Sequence, residues 1–459
     1  MITSRISELA AACGGRMLNV RNDAVVENIV INDKEVKENC CYCAIKGESY
    51  DGCDFVPTAM ERGAEVILAE RREWDRRYPL IVVDDVKEAL LKAAKYYREK
   101  EIKRLYAVSG SVGKTTVKDM IHSILAVNGR ILKTPENKNN LIGAPLTLLS
   151  NSDADTAVIE AGISLNGEMD KLGEMLSPDV AVITNIENMH TETLGNKENI
   201  ARQKLKLLSY IRPNGKAVLL YDEPLLRSSD PVGYERVYVS ASDESADLCL
   251  KNCVTEASGT SFDVMYRGRI MYKDIFVPLV GKHNALNALL ALAAVLDNVS
   301  EDDIRLGLEN VKISGMRQKM LEINGNKVIL DAYNAGPASC RAALDTFDTL
   351  SRSEKSKKRI VVFGSMLELG EISESSHYAL GEETGKRTPD ALIVYGSEAE
   401  SIALGAIDAG MNSGSIFHFA DGEKSVAINK FEELSREPSV ILIKGSRGMR
   451  MEEFIEKYL

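Results

Sequence analysis

The stretch YAVSGSVGKTTVKDMIHSIL, Tyr106 to Leu125, decides how the middle of this chain is read. A short apolar strand, Leu105–Val108, runs into a turn made of Gly110, Ser111, Val112 and Gly113, followed by Lys114, Thr115 and Thr116. Val117, Met120, Ile121, Ile124 and Leu125 then recur at helical spacing. Strand, glycine turn and helix together aim backbone N–H groups and a helix N-terminus at phosphate. In that frame Lys114 reaches the terminal phosphates of a nucleotide and the Thr115 hydroxyl sits on Mg²⁺. The longer loop form has its first glycine at the position that is Val108 here. The open question is whether a shorter loop does the same work.

A metal-bound phosphate needs further ligands, and the sequence offers two. Glu160 closes the strand-like TAVIE, and His190 follows the strand-like DVAVITNI. Both fall just past consecutive parallel strands, where a site at a sheet edge requires them. A turn carboxylate and a loop histidine are the plain alternatives. On these motifs alone a generic ATPase or kinase is the reading.

A chain of 459 residues calls for two or three domains. The first segment, residues 1–100, mixes short strands and helices and ends in VKEALLKAAKYYREK, where Val86, Leu90, Leu91 and Ala94 form an apolar stripe. The second, 101–314, alternates strands and helices, turns β-like from Asp247 to Leu279, and closes with an apolar helix after GKHNALN. The third, 315–459, holds RIVVFG, ALIVYG, SIFHFA and VILIKG separated by helical stretches. That spacing predicts a parallel sheet with crossover helices but carries no GxGxxG dinucleotide fingerprint. The expected class is α/β in three domains: a small mixed one, a central ATPase with a mostly parallel sheet, and a Rossmann-like one.

The net charge of −11 argues against a protein that coats nucleic acid. The start lacks a secretory signal, and the apolar run Ala288–Leu296 is too short for a bilayer, so a cytoplasmic protein without membrane insertion is expected. The CCYC group lacks a second pair at zinc spacing, which predicts buried reduced thiols.

SGSVGKTT, Glu160, TNIENMH, GKHNALNALLA, DAYNAGP, MLELGE and KGSRGMRMEE occur in an order that resembles the Mur ligases. The resemblance covers most of the chain, strongly from about 105 to 455. It implies an amide ligase that uses ATP and Mg²⁺, with Mn²⁺ as a substitute. The acceptor would be a UDP-linked muramyl tripeptide, the amine D-alanyl-D-alanine, and the chemistry an acyl phosphate; a monomer is expected. Carried over residue by residue, Lys114 and Thr115 hold phosphates and metal, and Glu160 and His190 ligate metal. Lys204 matches a lysine that is carbamylated in relatives, with a plain helix-surface lysine as the alternative. Asn284 and Asn287 resemble an adenine-contacting pair, though Asn also suits a helix start. Arg317 and Asp331 resemble nucleotide contacts from the C-terminal side across a hinge near Gly315. Asn334 faces the reacting centre or merely serves turn chemistry. Lys46, Asn137, Asn139, Asn140, Lys444, Ser446 and Arg447 resemble substrate-side groups, against polar or basic loops as the alternative.

The N-terminal segment departs most from the family. Asn32-Asp33-Lys34 stands where relatives carry Asp-Ser-Arg, and Asp51-Gly52-Cys53 where they carry Asp-Gly-His. Lysine does not reproduce a bidentate arginine contact, so a different acceptor stays open. A non-catalytic ATP-binding scaffold is the alternative from another class.

Overall fold

The structure, a computed structural model, describes residues 3–47, 49–70, 77–150, 153–227 and 233–458. Its centre is a nine-stranded sheet. From one edge it runs Ile131–Lys133, Thr156–Glu160, Arg104–Ser109, Val180–Ile183, Lys216–Leu220, Glu235–Ser240 and Leu248–Glu256, all parallel. Gly259–Tyr266 and Arg269–Val277 then extend it antiparallel. The central strands read as continuous Val/Ile/Ala runs because helices cover both faces. Lys114–Leu125 and Lys282–Val295 lie on one face, inside a core with Val108, Val158 and Val182.

Strand order reverses at Arg104–Ser109, which pairs with Thr156–Glu160 on one side and Val180–Ile183 on the other. The chain leaves these strands toward opposite flanks of the sheet, so a crevice opens beyond their carboxyl ends. The glycine loop, Glu160 and the segment leading to His190 all emerge there.

The third segment builds a six-stranded sheet in the order Lys319–Ile323, Asn326–Asp331, Ser439–Lys444, Lys358–Gly364, Ala391–Tyr395 and Ile416–Phe419. All neighbours are parallel except the leading hairpin. That hairpin was not anticipated, although its turn, Asn324-Gly325, has φ of 50° and 81° and is the standard two-residue hairpin signal. The first segment has a five-stranded mixed sheet, with Arg16–Leu18 antiparallel to Leu80–Val83 and the remaining strands parallel.

The three units are joined unequally. One continuous apolar cluster runs from Ile6, Leu9, Cys41 and Leu68 through Leu90 and Ala94 into Leu105, Ile159 and Ala181 of the central sheet. The connecting helix Val86–Glu101 carries Arg98, fully buried, into that junction. Its guanidinium donates to Leu176 O (2.9 Å), Ile102 O (2.6 Å), Ser177 O (2.9 Å) and Asp179 Oδ2 (2.8 Å). The C-terminal unit keeps its own apolar clusters. It is entered after Ser314, whose N–H and hydroxyl bond the buried carboxylate of Asp119 at 2.7 and 3.1 Å. Gly315 follows with φ of 78°, a conformation that glycine adopts without strain.

Cys13, Cys40, Cys41 and Cys43 are reduced thiols in the core of the first unit. No helix among the described residues is long and apolar enough to cross a membrane.

Candidate active site

The loop is built by its neighbours as much as by its glycines. Gly110 has φ of 138°, and a Cβ there would fall 2.0 Å from Thr184 Oγ1. Gly113 is left-handed at the start of the helix, with Asn287 Oδ1 2.7 Å from where a Cβ would be. The Ser111 N–H is taken by Asn185 O (3.0 Å) and the Val112 N–H by Asn185 Oδ1 (2.9 Å). Thr184 Oγ1 and Asn185 Nδ2 in turn donate to Val112 O. The Ser111 and Val112 N–H groups are therefore already occupied within the protein. They shape the loop, and the donors left for an anion are those of the first helical turn, which lack intrahelical acceptors.

Lys114 folds back on the loop, donating to Gly110 O (3.0 Å) and Ser111 O (3.1 Å). Burial lowers its pKa, with the Glu160 charge working in the opposite direction. Thr115 Oγ1 donates to Glu160 Oε2 at 2.7 Å, and Asn139 Nδ2 donates to Glu160 Oε1 at 2.7 Å. Glu160 is buried, and its own N–H is fixed by Thr134 Oγ1 (2.9 Å). Hydroxyl and carboxylate oxygens side by side are a hard donor set that suits Mg²⁺ with phosphate and water completing the shell. Among the described residues no group of three or more His, Cys, Asp or Glu side chains could hold an ion by itself.

His190 also lines this crevice, in a left-handed conformation with φ of 56°. Its Nδ1 is paired with the Glu368 carboxylate of the C-terminal unit. Burial lowers the His190 pKa, opposed first by Glu368. The next residue, Thr191, donates to Leu369 O at 2.8 Å, so this corner is an interdomain contact. Lys204 is buried rather than on a helix surface. Burial holds its pKa well below the ordinary lysine range and the Lys114 charge adds to this, while Glu160 acts against it. Lys204 does not line the cavity but lies within the electrostatic reach of Lys114 and Glu160.

A cavity of about 540 Å³ joins these groups to the C-terminal unit. Ser111 to Thr116, Asn137, Asn139, Asn140, Glu160, His190, Asn284, Asn287, Arg317, Asp331, Asn334 and Lys444 all line it. Several carry structural duties as well. Asn140 Oδ1 accepts from Ile142 N and Gly143 N, which turns the chain into the next helix. Asn284 Nδ2 donates to Val280 O (3.0 Å) and Gln318 Oε1 (2.7 Å), committing both of its amide hydrogens. Arg317 stacks on Tyr333, with its guanidinium carbon 3.4 Å from the ring centroid. Lys444 is buried, and its ammonium binds Asp331 Oδ2 (2.6 Å) and Asn334 O (2.9 Å). It therefore fixes Asp331 and the DAYNAGP loop instead of standing free for substrate. Asn334 Oδ1 accepts from Ala335 N, the turn chemistry its sequence offers.

Three residues expected on the substrate side do not line this cavity, and one of them, Ser446, is buried with its Oγ accepting from Leu367 N at 2.9 Å. Lys46 is exposed on the first unit in an isolated bridge with Asp51, and Arg447 is exposed and paired with Glu452. Asn32 Oδ1 accepts from Lys34 N, so the divergent Asn32 caps a short 3-10 turn, Asp33–Glu35, that carries Asp33 and Lys34. The groups that sequence reasoning missed are Thr134, Thr184, Asn185, Gln318, Tyr333 and Glu368. Asn185 and Glu368 lie inside stretches already singled out, TNIENMH and MLELGE, and a question about what holds the loop and the histidine would have reached them.

A phosphate loop at a sheet switch point, facing a second α/β unit across one polar cavity, defines an ATP-dependent ligase of the three-domain kind. Matches to the Mur ligase family models agree: its catalytic-domain model matches residues 25–104, its middle domain 108–295 and its glutamate ligase domain 316–447. The chain belongs to the Mur ligase family. It is 33% identical to the UDP-N-acetylmuramoyl-tripeptide–D-alanyl-D-alanine ligase of Bacillus subtilis (strain 168), across 99% of this chain and 98% of that protein. The enzyme of the same name from Escherichia coli (strain K12) is 31% identical, also across 99% and 98%. Among solved structures, MurF from Acinetobacter baumannii superimposes with a TM-score of 0.87 at 26% identity, covering 100% of this chain and 99% of that one. MurF ligase from Thermotoga maritima in complex with ADP gives 0.80 at 27%, covering 94% and 97%.

Proposed function

We propose that this chain joins D-alanyl-D-alanine to a UDP-N-acetylmuramoyl-tripeptide at the expense of ATP, in cytoplasmic synthesis of peptidoglycan precursor. The observation that carries the reading is the single cavity in which the phosphate loop and Glu160 face Arg317, Asp331 and Asn334 from the other unit, in a chain matched along its whole length by ligases of that name. A carboxylate is a poor electrophile. Transfer of the ATP γ-phosphoryl group to it creates a leaving group; the amine then attacks, and amide, ADP and phosphate result. The protein's task is positioning and charge neutralisation.

Lys114, released from Gly110 O and Ser111 O, takes the terminal phosphates, while the first helical turn donates to them. Thr115 and Glu160, with His190 once parted from Glu368, would hold Mg²⁺, which supplies charge neutralisation across the phosphates when bound. Asn139 keeps the Glu160 carboxylate aimed. Asn284 and Asn287 wall the base side, and Arg317 and Asp331 close on the nucleotide from the C-terminal unit. Phosphate and ADP release should require the UDP-linked tripeptide and the dipeptide together in a coupled assay. Turnover with a single amino acid in place of the dipeptide would sink the reading.

Lys204 is proposed to be carbamylated. Burial disfavours the charged form of this amine, the neutral form is the one that attacks CO₂ with loss of a proton, and the carbamate formed would balance the Lys114 charge that acts on it. ¹³C-bicarbonate should give a carbamate carbonyl NMR signal that Lys204→Arg lacks. The same spectrum for both proteins would refute it.

A further inference from the structure

Gln318 lies shortly past Gly315, where the chain enters the C-terminal unit, with φ of 44°, a region that non-glycine residues seldom occupy. Its side chain is held from both units. Gln318 Nε2 donates to Thr346 Oγ1 (3.0 Å), on the helix Pro337–Ser353 of the C-terminal unit. It also donates to His283 Nε2 (2.9 Å), on the helix Lys282–Val295 of the central unit. Gln318 Oε1 accepts from Asn284 Nδ2 at 2.7 Å. His283, Asn284 and Gln318 all line the main cavity.

Main-chain carbonyls, which can only accept, set the direction of the bonds in this group. Asn284 Nδ2 donates to Val280 O (3.0 Å), so the nitrogen of Asn284 and not its oxygen is the atom that faces Gln318. The Thr346 hydroxyl has one hydrogen, directed at Ala342 O (3.1 Å) or Val280 O (3.3 Å), so it accepts from Gln318. Gln318 therefore turns its nitrogen to Thr346 and His283 and its oxygen to Asn284. Desolvation lowers the His283 pKa, against the charge of Asp331, which keeps the Nε2 lone pair available to accept. The outcome falls on Asn284. Both of its amide hydrogens are taken, leaving Oδ1 as the atom it can offer a ligand. That oxygen receives only a long contact from Asn287 Nδ2 (3.4 Å), and Asn287 Oδ1 lies 2.7 Å from where a Cβ on Gly113 would be.

We propose that Gln318 sets the choice of purine base by holding Asn284 as an acceptor only. The proposal rests on the ligase reading above, in which Asn284 and Asn287 wall the base side. The 6-amino group of adenine is a donor and pairs with the Asn284 oxygen. The 6-oxo group of guanine or hypoxanthine is an acceptor, and it meets either that oxygen or an amide nitrogen with no hydrogen to spare. Two acceptors facing each other away from water leave both unsatisfied, and this separates the bases where their nearly equal size does not. Gln318 is a positioning residue that acts through Asn284. Thr346 anchors it from the C-terminal unit, so base selection is a property of the two units together.

The test compares ATP with ITP, whose base differs from adenine in the 6-oxo group and the N1 proton, in the ligation assay of the full chain. Wild type should favour ATP by about 50-fold in kcat/KM. Gln318→Met keeps the length of the side chain but frees one Asn284 hydrogen, which can then donate to the 6-oxo group. Its preference should fall below about five-fold, chiefly through better use of ITP. Gln318→Glu still accepts from Asn284, and His283 can meet the second carboxylate oxygen by moving its proton to Nε2. It should therefore keep the wild-type preference to within about three-fold. Calorimetric binding of ADP and IDP with Mg²⁺ gives the same comparison without turnover, for a variant that binds nucleotide but does not ligate. A Gln318→Met protein that keeps the wild-type preference, or a wild type that takes both nucleotides alike, overturns the role of Gln318 and leaves the ligase reading intact. Equal loss of preference in Gln318→Glu and Gln318→Met is a general disturbance and overturns it too. A wild-type chain that releases no ADP with precursor and dipeptide overturns the ligase reading itself.

Discussion

Lys114→Ala is expected to lower kcat/KM for ligation about 1000-fold while leaving the fold as stable as before. The first half follows from where the ammonium goes. Held 3.0 and 3.1 Å from the carbonyls of Gly110 and Ser111, it is the one cationic side chain of the loop, and in the proposed mechanism it would carry its charge to the transferring phosphoryl group. The second half follows from what it costs meanwhile. Burial disfavours its charge, and the Glu160 carboxylate nearby also accepts from Thr115 and Asn139. Removing a desolvated cation from the nucleotide-free protein relieves a cost instead of creating one. Activity assays and thermal melting of the same preparation check both. Activity within ten-fold of wild type would remove Lys114 from the phosphate role.

Arg98→Ala should have the opposite signature: a loss of about 3–5 kcal/mol in stability, with no direct contact to the active site. Its guanidinium satisfies carbonyls that close the helix Glu168–Leu176 and the turn after it, and Asp179 accepts from it as well as from Leu105 N. Truncation leaves those acceptors without a donor in a region sealed by apolar packing. Denaturant unfolding followed by circular dichroism measures the loss. A midpoint unchanged from wild type would show that the junction does not depend on this residue.

How much of this was legible beforehand depended on distance along the chain. The loop and its helix could be read because the apolar period of Val117, Met120, Ile121 and Ile124 and the two glycines lie within one short window. The same holds for Glu160, which closes a short apolar strand, and for His190, on the loop that follows the next one. Arg98 could not be assigned, because its acceptors at Leu176, Ser177 and Asp179 come from a helix end and turn far along the chain. Lys204 was hidden differently. Its helix, Lys197–Leu205, carries charges on several sides and shows no clean apolar stripe, so burial by the surrounding domain leaves no local trace. Lys444 looked like a substrate-side cation because nothing in VILIKG announces Asp331, its neighbour in register on the adjacent strand.

The shared apolar cluster between the first two units, pinned by Arg98, has a consequence for substrate length. With those units welded through one apolar cluster, the span from the exposed turn at Asn32–Lys34 to the phosphate loop is a fixed gauge. Under the proposed function, a precursor held by its nucleotide end on the first unit would bring its terminal carboxylate to Lys114 only if its peptide stem had the length of that gauge. The C-terminal unit would then bring the amine to whatever carboxylate had arrived in the shared cavity. Chain length would thus be judged by rigid distance in one half of the molecule, and closure would reward the correct length in the other.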